Sequence, residues 1–81
     1  MEDKLKRIMA DVLEVNADKI SKESSMETIA SWDSLKHMEL MVAIEENFDI
    51  TMLSMDEIVE MTTFPKIIEI LQNKKSEMVE L

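Results

Sequence analysis

Apolar residues recur at helical spacing along this chain, and no stretch alternates at the two-residue period of a half-buried strand. Leu5, Ile8, Met9, Val12 and Leu13 follow i, i+3, i+4, i+7 and i+8, one face of a first helix over about residues 3–15. Glycine is absent, so Asn16 is read as the left-handed stop of that helix. Leu40, Ile44 and Phe48 repeat every fourth residue and define a second helix from about Ser34 to Phe48, with Leu35 and Met41 widening its stripe. Asp33 or Ser34 caps its start, and Asn47 marks its end. Ser54-Met55-Asp56-Glu57 has the spacing of a capping box and opens a short third helix. Thr62-Thr63-Phe64-Pro65 opens a fourth, with Ile67, Ile68 and Leu71 on its apolar face. Residues 76–81 either extend that helix or fray. The expected fold is all-α: one domain over residues 1–81, a small four-helix bundle with a long first loop and a short third helix. Ile20, Met26 and Ile29 are expected to pin the long loop to the helices.

The charge balance narrows function. The net charge is −9, and residues 23–64 carry ten acids against the single base Lys36. The flanking segments are balanced, so the whole excess sits around Trp32-Asp33-Ser34-Leu35. Nucleic-acid phosphates would be repelled, whereas basic protein partners would be steered towards this region. With no cysteine, the chain offers neither a disulfide nor a thiolate, so thiol chemistry must come from an added group. The longest apolar run, Leu40 to Ile44, spans no membrane, and the N-terminus has no signal-like core. A cytoplasmic monomer is the expectation. Nine methionines suit either a core that repacks around variable contents or ordinary gap-filling.

Residues able to do chemistry are few. His37 follows Ser34 by three residues, so the two could share a helix face, yet no third group is placed to orient the imidazole. It is read as a solvated surface histidine. Glu45-Glu46 and Asp56-Glu57 could attract divalent ions loosely, but no calcium loop is present, and no metal site is expected. Ser34 stands out because a helix N-terminus favours negative charge, which a phosphate on its hydroxyl would bring.

This combination closely resembles the acyl carrier protein family over nearly the whole chain. The resemblance rests on the first amphipathic helix, the long loop, Asp33-Ser34-Leu35, and the acidic second helix ending Ile44-Glu45-Glu46-Asn47-Phe48-Asp49. The short third helix and the Thr62-Thr63 entry to the fourth complete it. It implies a non-catalytic carrier whose Ser34 bears 4'-phosphopantetheine, donated from coenzyme A by a phosphopantetheinyl transferase, with Asp33 and Leu35 flanking the attachment. Cargo would ride as a thioester, presented to acyl-loading and acyl-transfer enzymes with basic docking patches. By position, Leu35, Met38 and Val42 would be apolar docking contacts, and Glu39, Glu45, Glu46, Glu57 and Glu60 acidic ones. Met41, Ile44, Ile58 and Met61 would line an acyl pocket. Ser31 and Lys36 depart from the usual fatty-acid pattern, which has Gly and an acid at those places, and Trp32 replaces a small residue as a packing anchor. These changes favour a stand-alone carrier of a dedicated pathway over one of fatty-acid synthesis. Aminoacyl, peptidyl or polyketide cargo remains open, as does an unmodified acidic helical adaptor.

Overall fold

Four α-helices follow one another among the residues that the computed structural model describes, 2–50 and 53–79, with side chains as far as Lys74. They are α1 (Glu2–Leu13), α2 (Ser34–Phe48), α3 (Met55–Glu60) and α4 (Phe64–Val79), with one 3-10 turn at Ala17–Lys19. The all-α expectation holds, and the α2 boundaries coincide with the sequence reading. Leu5, Met9 and Leu13 of α1 meet Leu40, Met41, Ile44 and Phe48 of α2 and Phe64, Ile67 and Leu71 of α4 in a single apolar core.

Helix ends show where sequence reasoning erred. α1 ends at Leu13, and Glu14, not Asn16, adopts the left-handed conformation (φ 59°). The Val15 N–H reaches back to the Ala10 carbonyl at 3.0 Å, closing the six-residue wrap typical of a helix C-terminus. Ser31 Oγ donates to the Leu13 carbonyl at 2.7 Å, so the loop satisfies another of the last-turn acceptors. Asn16 is extended and precedes the 3-10 turn. α2 likewise stops at Asp49 (φ 52°, ψ 47°), one residue past Phe48, rather than at Asn47. There the Lys4 ammonium donates to the Asn47 carbonyl and lies 4.9 Å from the centre of the Phe48 ring, joining the start of α1 to the end of α2.

The long loop is ordered by burial. Ile20, Ile29 and Trp32 are buried, and Met26 packs partly against the core. An isolated antiparallel bridge pairs Ser25 with Thr63, through Met26 N–H to the Thr62 carbonyl and Phe64 N–H to the Ser24 carbonyl, both 3.0 Å. This ties the loop to the α3–α4 connection. Both halves of the Ser54–Glu57 capping box are formed. The Lys66 N–H reaches Thr63 Oγ1 at 3.3 Å, capping α4. Residues 80 and 81 lie outside the described residues, and α4 extends to Val79.

Candidate prosthetic-group site

Ser34 is the first helical residue of α2 and is exposed. Its position follows from Asp33, an extended N-cap residue whose carboxylate accepts the Lys36 N–H at 2.9 Å. The His37 N–H is taken by the Asp33 carbonyl at 2.8 Å. The cap therefore turns the Asp33 carboxylate towards its own helix. A helix start leaves its first N–H groups without intrahelical partners, which favours an anion on the adjoining hydroxyl. The geometry fits a phosphodiester at Ser34 Oγ, to which no side chain among the described residues is bonded.

Exposed apolar side chains follow Ser34 on α2 and recur on α3. Leu35 is 69% exposed, Met38 47% and Val42 50%, and α3 adds Met55 at 71% and Val59 at 69%. Periodicity places Leu35 on the core stripe and the family resemblance places it outside; in the structure it faces outward. Met55 and Val59 were missed, since apolar residues at helical spacing look alike whether buried or exposed. Their only signal was the four-residue separation on a helix too short to bury two faces.

The acids near Ser34 are not equivalent. Lys36 Nζ lies 3.2 Å from Glu14 and 3.5 Å from Glu39, so the one base of the acidic segment is spent within the chain. Its hydrogen bond to Glu14, with the charges of Glu14 and Glu39, raises the Lys36 pKa despite some desolvation. Glu45 accepts the Leu53 N–H at 2.7 Å. Glu57 accepts the Ser54 N–H at 2.8 Å and pairs with Lys74 at 3.1 Å. Desolvation pushes the Glu57 carboxyl up, but the Ser54 and Lys74 bonds and the Lys74 charge outweigh it and hold the pKa below the ordinary range. Glu39, Glu46 and Glu60 are exposed.

His37 is not a solvated surface residue; it is buried at 7% exposure. Trp32 Nε1–H donates to His37 Nδ1 at 3.1 Å, and His37 Nε2 lies 2.7 Å from the Ile58 carbonyl. Indole is donor-only, so Nδ1 accepts and Nε2 carries the proton. Both ring nitrogens are engaged, and neither is free to take the Ser34 proton. A sequence signal existed: His37 stands one turn before Leu40 and Met41 on the buried stripe. Met41, Ile44 and Met61 are at most 2% exposed, and Ile58 packs against them partly buried.

Among the described residues, no group of three or more side chains could hold a metal ion, and no helix is long and apolar enough to cross a membrane.

Residues 3–71 match the family described as phosphopantetheine attachment site. The chain is 40% identical over 73 residues to the acyl carrier protein of Picosynechococcus sp., covering 89% of this chain and 88% of that one. With the acyl carrier protein of Buchnera aphidicola subsp. Acyrthosiphon pisum it shares 35% identity over 74 residues, 91% of each chain. The solution structure of a holo acyl carrier protein from Geobacter metallireducens superposes with a TM-score of 0.85 at 25% identity, over 98% of this chain and 90% of that one. The chain belongs to the acyl carrier protein family, phosphopantetheine-binding carriers that do no catalysis themselves. Its prosthetic group is covalent 4'-phosphopantetheine.

Proposed function

We propose that Ser34 is the attachment residue. A phosphopantetheinyl transferase would transfer the arm from coenzyme A, forming a phosphodiester at Ser34 Oγ and releasing the adenosine bisphosphate portion. The observation that carries this reading is the exposed Ser34 hydroxyl on the first residue of α2, directly behind the Asp33 cap. The arm supplies a thiol that the cysteine-free chain lacks, and acyl groups ride on it as thioesters for use by partner enzymes.

Partners dock, in this reading, on Leu35, Met38 and Val42 of α2 together with Met55 and Val59 of α3. Glu39, Glu46 and Glu60 form an acidic rim that attracts basic patches. Glu45 and Glu57 contribute charge while also bonded within the chain. An acyl chain would enter between α2 and α3 by displacing the packing of Met41, Ile44 and Met61 beside Ile58, a rearrangement that flexible methionines ease. The pathway served is fatty-acid synthesis or a dedicated biosynthetic route. Neutralisation of Lys36 by Glu14 and Glu39 keeps that basic residue from repelling basic partners.

The absence of cysteine supplies a direct test. After treatment with coenzyme A and a transferase, then removal of free coenzyme A, a thiol reagent should label the protein at one equivalent. The label should be blocked when an acyl thioester is loaded first. No labelling with transferases of several specificities would contradict the carrier reading and leave the acidic adaptor in its place.

A further inference from the structure

α3 has six residues, none of them fully buried, and it nevertheless carries two of the five exposed large apolar side chains among the described residues. A helix this short has little stability of its own. Leu53 before it and Met61 after it are buried and anchor its two ends to the core. End anchors set where a short helix lies but leave its rotation about its own axis loosely determined. That rotation decides whether Met55 and Val59, one turn apart, face outward beside α2.

The Lys74–Glu57 pair and the partly buried Ile58 supply part of that constraint, and His37 supplies a further, buried one. α3 ends at Glu60, so the Ile58 carbonyl is one of the last-turn acceptors that no helical N–H at i+4 serves. Met61 N–H approaches it at 3.3 Å while bonding the Glu57 carbonyl at 3.1 Å. The well-placed donor is His37 Nε2–H, at 2.7 Å, from the first turn of α2. Trp32, at the end of the long loop, assigns the proton to that nitrogen by occupying Nδ1 with its own N–H. The three groups thus run in one direction, from loop to α2 to α3, and they bracket Ser34 in sequence.

We propose that His37 is a positioning residue: a tertiary cap on α3 that holds Met55 and Val59 in register with Leu35, Met38 and Val42, so that partners meet one continuous surface beside the Ser34 arm. The proposal rests on the reading of Ser34 as the attachment residue and of this surface as the docking face. Trp32 acts one step further back, by orienting the imidazole. Neither residue touches the reacting hydroxyl.

Two isosteres separate the parts of the network. In His37→Gln the amide nitrogen falls where Nε2 stood and can still donate to Ile58. In His37→Asn the amide oxygen falls where Nδ1 stood and keeps the Trp32 bond, but nothing reaches Ile58. The experiment measures steady-state phosphopantetheinylation of the full chain by one transferase, with amide exchange across α3 and the indole N–H resonance of Trp32. His37→Asn should raise KM for the carrier roughly fivefold, the scale of one net hydrogen bond, with kcat unchanged. It should speed α3 exchange and leave the indole resonance near its place. His37→Gln should restore KM and α3 protection while shifting the indole resonance.

Val59→Ser, on an exposed position, gives a second handle that does not disturb the core. It should raise KM by a similar factor in the parent and add less than that in His37→Asn, because both act through α3. Equal KM and equal α3 exchange in the Asn and Gln variants would overturn the proposal. So would full additivity of Val59→Ser with His37→Asn. Should His37→Asn fail to fold, an unaltered KM in Val59→Ser would overturn it alone. If the unsubstituted chain gains no arm, the attachment reading fails, and this proposal with it; that failure is visible in the parent before any variant is compared.

Discussion

Asp49 closes α2 with φ 52° and ψ 47°, a conformation in which Cβ crowds the following carbonyl at a cost of about 1–2 kcal/mol for most residues. An aspartate there also sets a negative charge at the negative end of the helix dipole. Asparagine tolerates the same backbone and carries no charge. Asp49→Asn should therefore stabilise the protein by about 0.5 kcal/mol, roughly 3 °C in Tm for a domain of this size. Thermal unfolding at low salt checks it, and a lowered Tm would show that Asp49 makes a contribution unrelated to capping. The choice of Glu14 and Asp49 over Asn16 and Asn47 was not legible in the sequence. Asparagine is the better left-handed residue in isolation, but the stop is set by where the loop returns: Ser31 meets the Leu13 carbonyl, and Lys36 meets Glu14. Those pairings span many residues and leave no local trace.

At the scale of the element, α2 and α3 were legible to different degrees. α2 was readable in its extent, though not in the residue that stops it, because its cap, Asp33, and its stripe, Leu40, Ile44 and Phe48, are local signals that the tertiary structure reinforces. α3 was readable at its start, through Ser54 and Glu57, but not in how it is held. Its clips come from Glu45 at the Leu53 N–H, His37 at the Ile58 carbonyl and Lys74 at Glu57. The Glu57 clip, through its bonds to Ser54 and then Lys74, depends on pH in a defined direction. The folded Glu57 pKa lies below the ordinary value of 4.5, so its stabilisation is fully present above that pH. It is lost as pH falls through the folded value. Amide exchange of α3, compared at pH 6 and pH 3.5, should show protection falling on the acid side. Glu57→Gln should already be less protected at pH 6 and change less between the two. Equal acid dependence in parent and variant would place the titrating group elsewhere.

Across the whole molecule, the net charge of −9 is concentrated in residues 23–64, and exposed Glu46, Asp56 and Glu60 all lie in that segment. Pairing of Glu39 with Lys36 and of Glu57 with Lys74 relieves only part of it. Raising sodium chloride from 10 mM to 0.3 M shortens the screening length from about 30 Å to about 6 Å, so self-repulsion weakens and Tm should rise by several degrees. A Tm indifferent to salt would mean that the acids are already compensated. In the proposed reading the same charge marks the region presented to partners, together with the exposed apolar side chains of α2 and α3 and the Ser34 hydroxyl. That Ser34 is where the arm is attached is the claim on which the rest depends. The most direct measurement is the intact mass of the chain after incubation with coenzyme A and a broad-specificity phosphopantetheinyl transferase, with Ser34→Ala treated in parallel. A gain of one phosphopantetheine in the parent and none in Ser34→Ala is the predicted result. An equal gain in both would move the attachment to another residue, and no gain in either, with transferases from several sources, would contradict the account.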